Sequence, residues 1–227
     1  MKVYKRFNDE VIKILIDGGI GVLPTDTIYG LVGSALNKKT VTRIYKLRRR
    51  NPKKPMIVLI GSVSDLKKFG VKIGARTRKI LNKIWPHFRR HALRRGSGYS
   101  GQAGKVSVIL PCQSPKLAYL HRGTKSIAFR LPAFVTAPAS APLRTCRSAG
   151  KPPFDLRGLL KRVGPLVAPS ANLSGKPPAR TIKEAMKHFG YKVDFYVDAG
   201  QLLSKPSTLI EIKKGKTVVL RKGAGRL

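Results

Sequence analysis

Four short segments of the chain combine hydroxyls, amides and cations at spacings that suit the binding of phosphates and small polar ligands. In Leu23-Pro24-Thr25-Asp26-Thr27-Ile28-Tyr29-Gly30-Leu31, Thr25 and Thr27 lie two apart, so an extended loop turns both hydroxyls to one side. In Val167-Ala168-Pro169-Ser170-Ala171-Asn172-Leu173-Ser174-Gly175, Ser170 and Asn172 repeat that spacing and offer a hydroxyl and a carboxamide together. Ordinary Thr, Ser or Asx turns would use the same residues. Ser207-Thr208 and Arg221 begin and end two strands that a hairpin brings to related positions. Between Lys46 and Lys54 there are six cations in nine residues. One or two cations at a helix C-terminus need no further reason, since the macrodipole favours each by about 0.3 to 1 kcal/mol. A denser cluster repels itself unless solvent or a polyanion offsets it, and the triphosphate of ATP is a suitable polyanion.

The usual catalytic equipment is missing. His87, His91, His121 and His188 stand apart, with no HExxH or similar pattern, and Cys112 and Cys146 lack metal-ligand spacing. The acids Asp26, Asp65, Asp155, Asp194 and Asp198 form no evident pairs, so no carboxylate metal cage is expected. There is no GxxxxGK[ST] loop and no GxG fingerprint after a strand. Such an inventory suits catalysis by positioning and charge neutralisation better than a nucleophile and base.

The elements that would hold these segments interleave along the chain. Helical spacing predicts helices over Asn8 to Asp17, Lys39 to Leu47, Ala75 to Trp85 and Asp155 to Val163, and a short one capped by Ser64 and ending near Gly70. Thr181 with Glu184 reads as a capping box opening a helix that ends near Gly190. Strands are expected at Ile20 to Leu23, Met56 to Ile60, Val106 to Leu110, Ile127 to Leu131, Leu166 to Ala168 and Phe195 to Val197. The strands Thr208 to Ile212 and Thr217 to Leu220 flank a lysine-rich turn and form a hairpin. The class is therefore α/β, a twisted mixed β-sheet flanked by helices in a single domain. Lys46 and Arg48 are expected at an exposed helix end.

Composition bounds the partners. The chain has 227 residues, 42% of them hydrophobic, with 47 Lys plus Arg against ten Asp plus Glu and a net charge of +37. It is long and apolar enough for one sizeable core, which excludes a wholly disordered tail. Its charge favours a polyanion, because each phosphate neutralised releases counterions. No apolar run is long enough to span a membrane, so a cytoplasmic protein with reduced thiols is expected. Two stretches, 87–103 and 133–154, break the pattern and read as surface insertions in a domain covering 1–227. The first draws its basic residues from Arg and His alone, and the second is rich in Ala, Pro, Ser and Thr. They are either basic arms that touch nucleic acid or passive insertions.

Seven motifs occur in an order that resembles the YrdC/Sua5 family of threonylcarbamoyl-AMP synthases. They are PTDTIYGL at 24–31, KLR at 46–48, SVIL at 107–110, FRLP at 129–132, APSANLSG at 168–175, PSTLIEI at 206–212 and LRKGA at 220–224. The family's Trp-Pro-Gly-Pro run is represented by Trp85-Pro86 and resumes only at Gly104. The resemblance implies an L-threonylcarbamoyladenylate synthase, a nucleotidyltransferase that joins L-threonine, bicarbonate and ATP for the threonylcarbamoyladenosine of tRNA. It assigns catalysis to Lys46 and Arg48, and ATP to Arg48, Lys54, Ser170, Asn172, Ser174 and Arg221. Threonine falls to Thr27, Arg130 and Ser207. Mg²⁺ would enter through the ATP phosphates, and tRNA or double-stranded RNA and a threonylcarbamoyl transferase complex would be partners. The rival reading is a non-catalytic protein of the same fold that binds double-stranded or ribosomal RNA.

Overall fold

The computed structural model describes residues 2–85, 105–132, 154–213 and 215–227. Ten strands form one mixed sheet in the order β1-β8-β2-β3-β7-β4-β6-β5-β9-β10. In chain order they are β1 (Lys2–Tyr4), β2 (Ile20–Pro24), β3 (Tyr29–Ser34), β4 (Ile57–Leu59), β5 (Val106–Pro111), β6 (Ser126–Arg130), β7 (Leu166–Val167), β8 (Phe195–Val197), β9 (Thr208–Lys213) and β10 (Lys216–Arg221). The helices are α1 (Asp9–Ile16), α2 (Lys38–Arg48), α3 (Ala75–Ile84), α4 (Ala118–His121), α5 (Leu156–Val163) and α6 (Ile182–Phe189).

Side-chain alternation along the strands builds a core on each face. Val22, Tyr29, Leu31, Val58, Val167 and Tyr196 point into the larger core, which α2, α3, α4 and α6 cover with residues such as Ile44, Leu81, Leu120 and Ala185. Their neighbours Leu23, Val32, Leu59, Leu166 and Phe195 point to the other face, covered by Val11 and Leu15 of α1 and Leu156 and Leu159 of α5. Strands buried on both faces read as unbroken apolar runs, as β2 and β4 do.

The helix starts follow their caps. Asn8 accepts a hydrogen bond from the Val11 N–H at 3.0 Å, which makes Asn8 the N-cap of α1. Thr181 accepts from the Glu184 N–H, while Glu184 accepts from the Arg180 N–H and not from Thr181 itself. The turn at Val63–Phe69 is a 3-10 helix that begins after Ser62, not Ser64, because the Asp65 carboxylate accepts from the N–H groups of Gly61 and Ser62, each at 3.0 Å. Gly70 ends it with φ +66, a left-handed value natural to glycine.

Two strands are additional to the expected set. The tail of the PTDTIYGL segment, read as a loop, is β3, paired antiparallel with β2 from Pro24 opposite Tyr29 to Ile20 opposite Gly33. The edge strand β1 pairs in parallel with β8. The stretches 87–103 and 133–154 lie outside the described residues except for Phe154, which is buried and packs edge-on against Phe7 at 5.7 Å.

Candidate functional site

A cavity of about 340 Å³ opens where the β2–β3 turn, the end of α2, the end of β6, the 168–172 segment and the β9–β10 hairpin meet. Its cations are Arg48, Arg50, Arg130 and Arg221, and no acid is among the described residues that line it. Thr27, Ser170 and Ser207 supply hydroxyls to the same wall. Groups nearly 200 residues apart therefore face one concavity.

The turn that carries Thr27 is built by Thr25. The Thr25 hydroxyl donates to the Ile28 carbonyl at 2.7 Å and accepts from the N–H groups of Thr27 and Ile28. With its proton so committed, the 3.1 Å contact between the two hydroxyls is a donation from Thr27 to Thr25. Thr27 then accepts from Arg130 Nη1 at 3.1 Å. The other terminal nitrogen of Arg130 pairs with Asp26 at 2.9 Å, where both side chains are buried. Thr25 thus shapes the loop, and Thr27 and Arg130 meet at the cavity.

Arg48 corrects the expectation of an exposed helix end. It is 3% exposed, because it extends the stripe of Val41, Ile44 and Tyr45 by one more turn onto the buried face of α2. Its Nε donates to the Asn172 carbonyl at 3.0 Å, and Nη2 donates to Asn172 Oδ1 at 2.8 Å and to Ser170 Oγ at 3.2 Å. Its own carbonyl accepts from the Ser174 N–H. Burial, followed by the nearby charge of Arg50, pulls the Arg48 guanidinium down to about 10. The expense of holding a desolvated cation is offset by these acceptors.

At the opposite wall, Arg221 at the end of β10 donates from Nε and Nη2 to the Ser207 carbonyl, at 3.2 and 2.8 Å. The Ser207 hydroxyl also contacts Ser107 Oγ at 2.9 Å. Burial, and then the like charge of Arg130, lower the Arg221 guanidinium. Two guanidinium groups that feel each other across an acid-free cavity make a seat for anions.

The expected site residues divide. Thr27, Arg48, Arg130, Ser170, Ser207 and Arg221 share the cavity wall. Lys46 and Lys54 are exposed and do not line it, and neither does Ser174. Asn172 is buried behind Arg48, its amide nitrogen donating to the carbonyls of Leu173 and Lys176. Two features of the cavity and its surroundings were not singled out in the sequence. Arg50 lines the wall and donates to the carbonyls of Lys54 and Pro55, and Asp26 is paired with a cation, not with another acid. The helical stripe could have placed Arg48; the cation cluster contains Arg50 without setting it apart from its neighbours.

An α/β sheet protein with an arginine-lined cavity is the class that fold and site define. The family model Sua5/YciO/YrdC, described as "Telomere recombination", matches residues 13–223, and the chain belongs to that family. A Methanocaldococcus jannaschii relative is 27% identical over 231 residues, covering 98% of this chain and 92% of its own length. The threonylcarbamoyl-AMP synthase of Pyrococcus abyssi is 26% identical over 208 residues, covering 91% of this chain but 51% of its own. The chain thus spans about half the length of that relative. The crystal structure of P. abyssi Sua5 complexed with L-threonine superposes with a TM-score of 0.71 at 25% identity, covering 98% of this chain and 57% of that one.

Proposed function

We propose that this chain is an L-threonylcarbamoyladenylate synthase, forming threonylcarbamoyl-AMP and pyrophosphate from L-threonine, bicarbonate and ATP. The observation that carries the reading is the convergence of Arg48, Arg130 and Arg221 with Thr27, Ser170 and Ser207 on one cavity, in a chain of the Sua5/YciO/YrdC family. The names of its relatives and the L-threonine held by P. abyssi Sua5 support it.

In this mechanism the nucleophile belongs to the substrate. Threonine and bicarbonate condense to a carbamate with loss of water, a carbamate oxygen attacks the α-phosphorus of ATP, and pyrophosphate leaves. Arg130 and Thr27 hold the threonine at one end. Arg48, Arg50 and Arg221 neutralise the phosphates, the Ser170 hydroxyl fixes their orientation, and Ser207 joins Arg130 and Thr27 at the threonine end. Holding the reactants in line supplies about 7 to 11 kcal/mol in well-oriented systems. Charge on the transferring phosphoryl group is met by the fixed guanidinium groups.

Mg²⁺ would come with ATP and be held through its phosphate oxygens, where it would help neutralise their charge; the described cavity wall offers no carboxylate to hold it. The high positive charge outside the cavity supports contact with tRNA or double-stranded RNA, and the product passes to a threonylcarbamoyl transferase complex. No described helix is long and apolar enough to cross a membrane. The buried free thiol of Cys112 suits the cytoplasm.

The test is pyrophosphate release with each substrate omitted in turn. Release that requires ATP, threonine and bicarbonate together is expected. No threonine-dependent release, alongside tight and salt-sensitive RNA binding, would replace this reading with the RNA-binding one.

A further inference from the structure

Arg130 reaches the cavity from the end of β6 with two of its three nitrogens already engaged by the β2–β3 turn. Nη2 pairs with Asp26 Oδ1 at 2.9 Å and Nη1 donates to Thr27 Oγ1 at 3.1 Å. The Asp26 and Arg130 side chains are 3% and 6% exposed, so water hardly competes with their pairing. The remaining nitrogen, Nε, is buried and has no hydrogen-bond partner among the described residues. A buried, charged donor left without an acceptor is costly. The arrangement is that of a guanidinium held from behind at both terminal nitrogens, each of which keeps a second N–H, while the residue lines the cavity.

Arg221 makes the need for a rear anchor plain. Its charge repels Arg130 across the cavity, and an unanchored Arg130 would swing away from it. Asp26 supplies the opposing attraction from behind Arg130 and is not among the described residues that line the cavity. Its backbone position is fixed by the Thr25 bonds that close the turn.

We propose that Asp26 is the positioning residue of the amino-acid end of the cavity: it orients Arg130 so that the guanidinium meets the carboxylate of the incoming threonine. This rests on the threonylcarbamoyl-AMP synthase reading for the identity of the ligand, but the orientation of Arg130 does not. The effect belongs to the threonine end alone, since Arg48 is held separately by Ser170 and Asn172.

The experiment has a ligand-free arm and a binding arm. Heteronuclear NMR of the arginine side chains, with the Arg130 Nε–H signal assigned by its loss in R130K, is expected to show a single ordered resonance in the unmodified protein. That resonance should broaden or move in D26N and persist in D26E. An unchanged Arg130 signal in D26N overturns the proposal whatever the substrate is. In calorimetric titrations, D26N should weaken L-threonine about tenfold or more and leave ATP within about threefold. D26E should restore most of the threonine affinity. In an R130A background, D26N should have no further effect, since Asp26 acts through Arg130.

Equal losses for threonine and ATP, or a full D26N effect in the R130A background, would overturn the proposal. If D26N does not fold, D26E decides the matter: a displaced carboxylate should weaken threonine by about threefold with ATP unchanged, and equal loss of both refutes it. If the unmodified protein binds no threonine, the functional reading fails, and the NMR arm still judges the role of Asp26.

Discussion

Arg48 and Asn172 hold each other across 124 residues of sequence. The guanidinium donates to both the main-chain carbonyl and the side-chain oxygen of Asn172, at 3.0 and 2.8 Å. A residue that reads as a phosphate ligand thus also fastens α2 to the loop after β7, so binding and stability are joined at this position.

Replacing Arg48 by Ala should therefore lower stability as well as ATP affinity. It strands three acceptors, the Asn172 carbonyl, Asn172 Oδ1 and Ser170 Oγ, and the two shorter hydrogen bonds, to Asn172, are alone worth about 3 kcal/mol or more together. For a chain of this size that corresponds to a melting temperature lower by about 6 to 12 °C. Lys46→Ala, at an exposed position, should leave the melting temperature within about 1 °C. Thermal denaturation of the two variants settles the contrast, and equal melting temperatures would refute it.

The two threonines of the β2–β3 turn should separate stability from binding. Thr25→Val removes the bonds that shape the turn and should cost about 1 to 2 kcal/mol in urea unfolding. Thr27→Val leaves those main-chain bonds intact and should raise the threonine requirement of pyrophosphate release, with a smaller change in the urea midpoint.

Arg50 should matter more to ATP than Lys54 does. Arg50 lines the cavity, whereas the Lys54 side chain is exposed and contributes its carbonyl to Tyr45 and Arg50. Loss of one charge-assisted contact, about 1.5 to 3 kcal/mol, predicts at least a tenfold weaker ATP affinity for Arg50→Ala. Lys54→Ala should stay within about threefold. A reversed order in ATP titrations would return Lys54 to the site.

Acid should expose the work of Asp194. Burial alone would raise its carboxyl, but hydrogen bonds from Arg43 and the Ile20 N–H outweigh that and hold it below the ordinary 3.8. A carboxylate lowered in the folded state stabilises above its unfolded value, and that contribution fades as pH falls through the folded one. The stability gap between the unmodified protein and D194N should thus be widest at about pH 6 and shrink at about pH 3. Urea midpoints measured across that range supply the check; a gap that widens in acid contradicts the pairing.

Much of the architecture was legible because caps and periodicity agree. Asn8, Thr181 and the apolar stripes of α1, α2 and α6 each point to one answer. The strand β3 was not legible: Tyr29–Ser34 is interrupted by Gly30 and Gly33, which signal a turn when read locally. Gly33 is there for close packing, since a Cβ would come within 2.4 Å of Thr40. Six of the ten expected site residues share the cavity wall, because motif order carries long-range information that spacing lacks. The exposure of Arg48 was misjudged because charge at a helix end normally means solvent, and only the stripe it extends says otherwise. Asp26 was invisible as a partner because its cation lies 104 residues away.

The wall that bears Ser207 and Arg221 is the last to be made. A nascent polypeptide grown only to Lys205 already carries Thr27, Arg48, Arg130 and Ser170, yet the concavity remains open along the side where β9 and β10 will dock beside β5. The cavity is therefore complete only once β9 and β10 have been synthesised and paired beside β5.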